Sequence, residues 1–442
     1  MFRTPVQRSL VGEVRTFVSV HTTFVVVAII AIALQCLSLY LAFFGPDLPY
    51  DVKDPPRITP DSPRFCSLLA FLTEAKLLYG NKIEVLTDGP CFYESELAAI
   101  ASAQRSINLE AYIFNRGEIS KRFIGALAER ARAGVKVRLT LDYIGSFSTP
   151  FSYLKELTSA GGHVQWYHSF RPDLVLQLNN RTHREMLIVD GTVAFIGGAG
   201  IADWWYRDGV RGRRWRDMMI RVEGPSVAAV QAVFAQNWLR VDGQILTGEE
   251  YFQFPDGSDG TPALVVGSTP AAGATQARIL FQLLISCARK CVYISTPYFL
   301  PDRSAGRAII RAARERNVEV KILTPGDNSD QRLTRASSRE LYGSLLKHGI
   351  KIYEYGPSMN HTKAMMVDDC WVVVGSTNFD YRSFVINDEV NLALLDPAAT
   401  RRVAQDFERD ISQSREITYE DWRTKRRFRI ADRILSLLER QE

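Results

Sequence analysis

Residues 360–368 combine a histidine, a lysine two positions later and an aspartate five positions after that. In an extended chain His361 and Lys363 point to the same side, because side chains alternate with period two. An imidazole that titrates near neutral pH would then lie beside a fixed cation. This pair suits chemistry on phosphate, because the imidazole can attack or donate a proton while the cation holds the anion.

The spacing of this stretch occurs a second time in the first half of the chain. His183 precedes Asp190 by seven residues, as His361 precedes Asp368. A spacing repeated at two places is far more specific than a lone His-x-Lys. The repeat predicts two similar lobes whose sites meet at the interface between them, a usual place for a pocket.

Strand and helix patterns alternate along both halves, which indicates a layered α/β fold. The first half has strand patterns at 82–86, 106–114, 135–141 and 163–167, and helix patterns at 93–103, 119–133 and 155–160. The second half has strand patterns at 292–299, 318–323 and 350–355, and helix patterns at 277–288, 306–316 and 339–348. Corresponding strands place Tyr112 opposite Tyr298. We predict a first repeat at 78–245, a linker at 246–261 and a second repeat at 262–418.

The N-terminal segment predicts a membrane anchor. Residues 16–44 contain no Asp, Glu, Lys or Arg, and this run exceeds the ~20 residues that span a bilayer. We predict an anchor at 1–45 with a single transmembrane helix at about 17–44, followed by a linker at 46–77. Arginines precede the run and aspartates follow it, so the positive-inside rule places the body on the periplasmic side of an inner membrane. The apolar region is too long to favour a cleaved signal peptide.

The rest of the composition is less selective. A net charge of +5 fits anionic partners without choosing one. The six cysteines have no zinc-ligand spacing, so buried free thiols are expected and no metal site is predicted. The tail at 419–442 has the pattern of a basic amphipathic helix, which could lie on an anionic membrane or pack on the protein.

In the two stretches 183–190 and 361–368 the chain resembles the phospholipase D superfamily, whose characteristic motif, His-x-Lys-x4-Asp, occurs twice. Within it the chain looks most like the bacterial cardiolipin synthases. The stretches EVLTDG, SINLEAYIF, WRDMMIRVEGPSV, STPYFLPD and VVVGSTNFDYRSFVINDEVNLAL carry this resemblance. It implies two phospholipase D-like lobes, each a mixed β-sheet flanked by helices, with the active site at their interface. It also implies phosphatidyl transfer without metal or cofactor.

The resemblance further implies a mechanism and its substrates. One histidine attacks phosphorus to form a phosphohistidine, and the other protonates the leaving alcohol. By family habit His183 takes the first role and His361 the second. A hydroxyl of phosphatidylglycerol then accepts the phosphatidyl group to give cardiolipin. The partners implied are these anionic phospholipids and the membrane, and the membrane helix favours lipid over nucleic acid.

Other residues acquire expected roles from the same resemblance. Lys363 is the phosphate cation. Glu389 and its first-half counterpart Asp217 are expected to orient the imidazoles, although a surface carboxylate at a strand start remains an alternative for Asp217. Ser376 and Asn378 can donate to a phosphate oxygen or serve turn chemistry alone.

The two motif aspartates have a more conservative interpretation. Asp190 and Asp368 belong to the motif that marks the catalytic site, and each precedes a turn. We expect them to hold structure by accepting backbone N–H bonds, and we favour this over a direct chemical role.

The first half departs from the motif at three positions. Glu185 stands where the second half has its motif lysine, and Gly198 and Gly200 replace its serine and asparagine. Arg181 lies on the same face as His183, so it could supply the missing cation or pair with Glu185. Alternatively Glu185 binds a hydroxyl or amine of the acceptor, or the site is impaired. We favour an asymmetric site with His183 active.

Three functions follow as hypotheses. The first is a phosphatidyltransferase of the cardiolipin synthase type. The second is a phospholipase D or phosphodiesterase that hydrolyses phospholipid or nucleic acid, because water and alcohol compete for the same phosphoenzyme. The third is a catalytically impaired lipid-binding protein, motivated by Glu185.

Overall fold

The computed structural model describes residues 50–53, 55, 57–169, 179–209, 212–257, 259–270 and 275–426. The predicted transmembrane helix at 17–44 and the predicted tail beyond residue 426 lie outside these ranges. Within them, none of the helices combines the length and the apolar character needed to cross a bilayer.

The described strands form one large mixed sheet and one small ladder. In chain order they are β1 (Leu78–Thr87), β2 (Ser106–Ala111), β3 (Lys136–Asp142), β4 (His163–Tyr167), β5 (Met186–Val189), β6 (Val193–Gly197), β7 (Met218–Glu223), β8 (Thr261–Ser268), β9 (Cys291–Ser295), β10 (Phe299–Leu300), β11 (Glu319–Pro325), β12 (Lys351–Tyr355), β13 (Ala364–Val367), β14 (Trp371–Gly375), β15 (Phe379–Asp380), β16 (Glu389–Leu395) and β17 (Ser414–Ile417). β10 and β15 pair with each other, and the other fifteen strands form the large sheet.

The α-helices of the described chain alternate with these strands. They are α1 (Pro63–Leu72), α2 (Gly89–Ser102), α3 (Glu118–Arg132), α4 (Lys155–Ser159), α5 (Asp203–Tyr206), α6 (Ser226–Asp242), α7 (Gln276–Cys287), α8 (Arg303–Arg316), α9 (Arg332–Leu346), α10 (Tyr381–Val385), α11 (Pro397–Ser412) and α12 (Tyr419–Arg426). Helix α3 shows why they pack on the sheet, because Ile119, Phe123 and Leu127 share one face and are buried.

The large sheet has the same strand order in two halves. β1 and β8 pair antiparallel at its centre. Outward from β1 follow β7, β6, β5, β2, β3 and β4, and outward from β8 follow β16, β14, β13, β9, β11 and β12, with β17 at the edge. The repeat seen in the sequence therefore forms two lobes of corresponding topology, joined into one sheet rather than built as two separate sheets.

A central apolar core belongs to both lobes. Ile196 and Ile220 of the first lobe share it with Val374 and Leu392 of the second, together with apolar faces of α6 and α11. β14 packs against β6 and β7 across this core. Burial of each such side chain contributes about 1.5–3 kcal/mol, so the interface between the lobes stabilises the whole fold.

Helix α1 differs from the sequence prediction of a linker over 46–77. Ser62 caps the helix by accepting a hydrogen bond from Phe65 N at 3.3 Å, and Pro63 occupies the first turn. Phe65 and Leu69 are buried in the core of the second lobe. The predicted linker therefore contains an ordered helix, because two apolar residues four positions apart find a partner surface.

The start of the predicted tail packs on the second lobe. The Trp422 indole of α12 donates to Arg339 O at 2.6 Å. Its ring lies so close to Gly343 that a Cβ there would approach within 2.2 Å. Residues 419–426 thus adopt the packed alternative, and the remaining tail, 427–442, lies outside the described residues.

Candidate active site

The histidine segments of each lobe pair with carboxylate segments of the other. His183 N donates to Asp388 O at 2.9 Å, and His361 N donates to Arg216 O at 2.7 Å. Parallel bridges join Thr182 to Asp388 and Arg216 to Asn360. Each histidine therefore lies beside a carboxylate at the first residue of a strand of the opposite lobe (Glu389) or directly before it (Asp217).

Side-chain contacts complete this crossed arrangement. His183 Nδ1 lies 3.1 Å from both carboxylate oxygens of Glu389, and His361 Nδ1 lies 2.8 Å from Asp217 Oδ2. The carboxylates singled out in the sequence thus contact the imidazoles, but each contacts the histidine of the other repeat. A carboxylate at Nδ1 fixes the ring and leaves Nε2 for chemistry.

Further donors orient the two carboxylates. The Ser376 hydroxyl donates to Glu389 Oε2 and accepts from Val390 N at 3.0 Å. The Trp205 indole donates to Asp217 Oδ2 at 3.1 Å. Ser376 therefore orients Glu389 in this structure, and its predicted hydrogen bond to a phosphate oxygen stays a prediction.

Asn378 has a different environment from its neighbour Ser376. It is buried, and its Oδ1 has no hydrogen-bond partner among the described residues. A buried amide without a partner is costly unless a ligand satisfies it. Asn378 therefore stays a candidate for substrate binding.

Lys363 lies against the ring of His361. Its Nζ is 2.9 Å from Nδ1 and 3.2 Å from Nε2, and it donates to Gly198 O of the first lobe at 3.4 Å. Burial lowers the pKa of Lys363, opposed by Asp217, Glu389 and Glu185. Burial and the Lys363 charge also lower the pKa of His361, so this imidazole is neutral over a wider pH range than an exposed histidine.

Aromatic side chains pack against both imidazoles. The Tyr112 ring packs edge-on to His183 with centroids 5.1 Å apart, and Trp205 and Trp215 lie 5.2 and 5.5 Å from His361. Tyr298 is 6.5 Å from His361. Neither tryptophan was among the site residues predicted from the sequence. Their closeness to Asp217 in the chain was the available signal for a place in the site.

Asp190 and Asp368 hold the fold. Their backbones adopt left-handed conformations, with φ of 53° and 52°. Asp190 accepts from the amides of Gln104, Arg105 and Ser106 at 2.7–2.9 Å. Asp368 does the same for residues 289–291 at 2.7–3.0 Å. Each carboxylate thus anchors the start of β2 or β9, the structural role that the sequence favoured.

Glu185 and Arg181 do not meet. Glu185 is 5 % exposed, and its Oε1 accepts from Tyr112 N at 3.1 Å and Ile113 N at 3.4 Å. The Arg181 guanidinium instead reaches Asp142 Oδ1 at 3.4 Å and Asn180 O at 2.7 Å. Arg181 therefore does not pair with Glu185, because its guanidinium forms an ion pair with the buried Asp142, and its role as a replacement for the lysine stays a prediction.

The next question is whether the side chains of the site could hold a metal ion. In the part of the chain that the structure describes, no group of three or more His, Cys, Asp or Glu side chains is placed to hold a metal ion. The groups described above are two imidazoles, one ammonium group and three carboxyl groups. This set can bind an anion, attack it at one side and exchange a proton at the other.

Comparisons with known proteins agree with this geometry. The family described as "Cardiolipin synthase, PLD-like domain" matches residues 97–238 and 282–411, one stretch in each lobe. Cardiolipin synthase 1 of Staphylococcus epidermidis is 34 % identical over 79 % of this chain and 71 % of its own length. The major cardiolipin synthase ClsA of Bacillus subtilis is 32 % identical over 83 % of this chain and 76 % of its own length.

The fold recurs in a solved structure of much lower identity. Phosphatidylserine synthase from Haemophilus influenzae aligns with a TM-score of 0.64 at 15 % identity, covering 83 % of this chain and 98 % of that one. This similarity concerns the fold alone. With the two family matches and the curated relatives, the resemblance seen in the sequence is confirmed: the chain belongs to the cardiolipin synthase family of phospholipase D-like proteins and is a phosphatidyltransferase.

Proposed function

We propose that the chain transfers the phosphatidyl group of one phosphatidylglycerol to a hydroxyl of a second, forming cardiolipin and glycerol without a metal or cofactor. The observation that carries this proposal is the crossed pairing of two histidines with two carboxylates around Lys363. It offers a nucleophile, a proton donor and a cation within one buried site.

In the first step His183 Nε2 attacks phosphorus. A phosphorus–nitrogen bond forms, and the bond to the glycerol oxygen breaks as His361 gives that oxygen a proton. Glu389 stabilises the positive charge that develops on the His183 ring. Lys363 offsets the negative charge on the phosphate oxygens.

In the second step the hydroxyl of another phosphatidylglycerol gives its proton to the neutral His361. Its oxygen then attacks phosphorus, and the bond to His183 breaks. The lowered pKa of His361 supports this base role, while a bound phosphodiester would offset Lys363 and favour protonation for the first step. Water in place of the alcohol would give phosphatidic acid.

A product analysis with phosphatidylglycerol labelled in its glycerol headgroup tests this function. The purified protein in phosphatidylglycerol vesicles is expected to release labelled glycerol and form labelled cardiolipin. His361→Ala is expected to abolish turnover, and His183→Ala to abolish the acid-labile phosphoenzyme trapped by rapid quench. Phosphatidic acid as the main product would identify a hydrolase instead, and full activity of His361→Ala would refute the mechanism.

We also propose that residues 17–44 anchor the enzyme in an inner membrane with the lobes on the periplasmic side. The uncharged run and the flanking charges support this orientation. Protease treatment of spheroplasts is expected to digest the lobes. Protection until the membrane is disrupted would place them in the cytoplasm.

A further inference from the structure

The three departures of the first repeat lie at one place. A Cβ on Gly200 would lie 3.0 Å from Glu185 Oε1, and a Cβ on Gly198 would lie 3.0 Å from Lys363 Nζ and 2.9 Å from Asp217 Oδ1. Gly198 thus leaves room for the Lys363 ammonium and the Asp217 carboxylate, and Gly200 leaves room for the Glu185 carboxyl and for Ile113. Glu185, which stands where the second repeat has its lysine, therefore lies in a pocket that the two glycines help to open.

The charges of this pocket conflict with its proposed substrate. Lys363 lies among Asp217, Glu389 and Glu185. Asp217 and Glu389 contact imidazoles, whereas no cationic group of the described residues lies within 4 Å of the Glu185 carboxyl. Three ionised carboxylates around one lysine would repel a phosphodiester anion, strongly so in a buried site.

The hydrogen bonds of Glu185 indicate how this conflict is resolved. Oε1 accepts from the amides of Tyr112 and Ile113, which hold the carboxyl in place. Oε2 makes no hydrogen bond within the described chain. One oxygen is thus anchored by two amides, while the other has no protein partner among the described residues.

We propose that Glu185 binds the substrate phosphate as a neutral carboxylic acid, donating a hydrogen bond from Oε2 to a non-bridging oxygen where the second repeat supplies a lysine. This inference rests on the proposed function, since it concerns the phosphate of that reaction. Burial raises the pKa of Glu185 well above its usual range, opposed by the two amides and Lys363 and assisted by Asp217.

The groups around the Glu185 carboxyl determine how its ionisation should change phosphate binding with pH. The amides of residues 112 and 113 face it from the end of β2, Lys363 from the second repeat and Asp217 from the start of β7. Tyr93 of α2 lies nearby and donates to Gly200 O at 2.5 Å. Ionisation of Glu185 at alkaline pH would remove the donor and add a negative charge, so phosphate binding should fall.

Variants of Glu185 test the proposal through the pH dependence of kcat/KM. Glu185→Gln keeps a neutral donor of the same shape, so it should retain activity within about tenfold while the alkaline decline moves to higher pH. Glu185→Leu removes the donor and should lose about 100- to 1000-fold, as when one oxyanion donor is deleted. Glu96→Gln, which changes another buried carboxyl, is the control and should match the wild type.

Two kinetic results would overturn the proposal. Wild-type activity in Glu185→Leu would show that this side chain does not contact the phosphate. Loss in Glu185→Gln as deep as in Glu185→Leu would show that an ionisable carboxyl is required. If the wild type forms phosphatidic acid, the proposed transfer fails, but the same comparison on hydrolysis still decides the role of Glu185.

A spectroscopic measurement decides the protonation state without turnover. The infrared difference between wild type and Glu185→Gln at neutral pH should contain the carbonyl stretch of a protonated carboxylic acid. The band should shift when short-chain phosphatidylglycerol is added. Absence of the band, or a band indifferent to the phosphodiester, would overturn the proposal even if no variant turns over.

Discussion

Lys363 is a single residue that contacts both repeats. Its ammonium touches the imidazole of its own motif and the Gly198 carbonyl of the other lobe. With Glu185 in place of the other motif lysine, Lys363 is the only lysine supplied by the two motifs. Its charge lowers the pKa of His361, and in the proposed reaction the same charge holds the substrate phosphate.

Lys363→Met should raise the pKa of His361. The substitution removes a positive charge that disfavours protonation of the ring, while the Asp217 contact that favours it remains. Histidine resonances followed by NMR across a pH titration measure the change. Lys347→Met, at an exposed lysine, is the control, and an unchanged His361 titration in Lys363→Met would contradict the prediction.

Arg181→Ala should destabilise the protein and weaken activity. Asp142 accepts from Arg181 and also from Thr182 N at 3.0 Å, directly before His183. Removing the cation leaves a buried carboxylate unpaired, which costs about 3 kcal/mol of unfolding free energy. Urea unfolding measures the loss, and Arg314→Ala, at an exposed arginine, is the control. Equal stability of both variants would show that the contact with Asp142 contributes little.

The sequence predicts which residues gather at the candidate site better than it predicts their contacts. Repeated spacing identified both histidines, and the resemblance supplied Asp217 and Glu389 as their partners. The sequence could not show that each carboxylate contacts the histidine of the opposite lobe, because strand patterns do not specify which strand ends lie side by side. The partners of Ser376 and Arg181 were missed for the same reason.

Among the secondary-structure elements, the hairpins β5–β6 and β13–β14 directly follow the two histidine segments and join them to the sheet. Asp190 and Asp368 begin their turns and accept from the amides that start β2 and β9. Each turn therefore ties its hairpin to the antiparallel neighbouring strand of the same lobe. This contact stabilises β2, which directly precedes Tyr112, or β9, which leads to Tyr298.

Asp368→Ala should lower the free energy of unfolding by about 3 kcal/mol, because three amides lose a charged acceptor. Urea unfolding provides the measurement. Asp369→Ala is a matched control, since Asp369 also has positive φ, 57°, but its side chain is exposed. The difference between the variants isolates the carboxylate, and equal stabilities would contradict its anchoring role.

The elements themselves were largely predictable. The strand at 163–167 was predicted with the bounds that β4 has, and α3 and α7 differ by one residue at each end. Helix α1 was not predicted, because a Pro- and Asp-rich segment hides a short apolar face. Its stability comes from packing against the second lobe.

At the scale of the whole molecule, buried carboxyl groups make stability depend on pH. Burial raises the pKa of Glu96 to about 8 and that of Glu110 to about 7. The folded state therefore retains protons that the unfolded chain releases near pH 4.5, so the stabilising contribution is full below that pH. It is lost as pH rises through 7 and 8.

Unfolding free energies measured between pH 5 and 9 should therefore decline toward alkaline pH. Glu96→Gln cannot ionise and should flatten the upper part of this decline. Wild-type stability that is constant over this range would contradict the burial of these carboxyls in uncharged form.

The sequence predicted two lobes but not how fully they share one fold. The β1–β8 pair and the central core join residues far apart in the chain. Internal repeats reveal corresponding elements, whereas contacts between the repeats depend on surfaces that each half presents to the other. The single continuous sheet followed only from the structure.

The crossed histidine pairs have a genetic consequence. A gene cut between the codons for Phe254 and Pro255 would yield two polypeptides, each holding one histidine and the carboxylate that serves the other. Each alone should be inactive, and co-expression should restore turnover as the fragments assemble around the shared core. Activity from either fragment by itself would refute this interdependence.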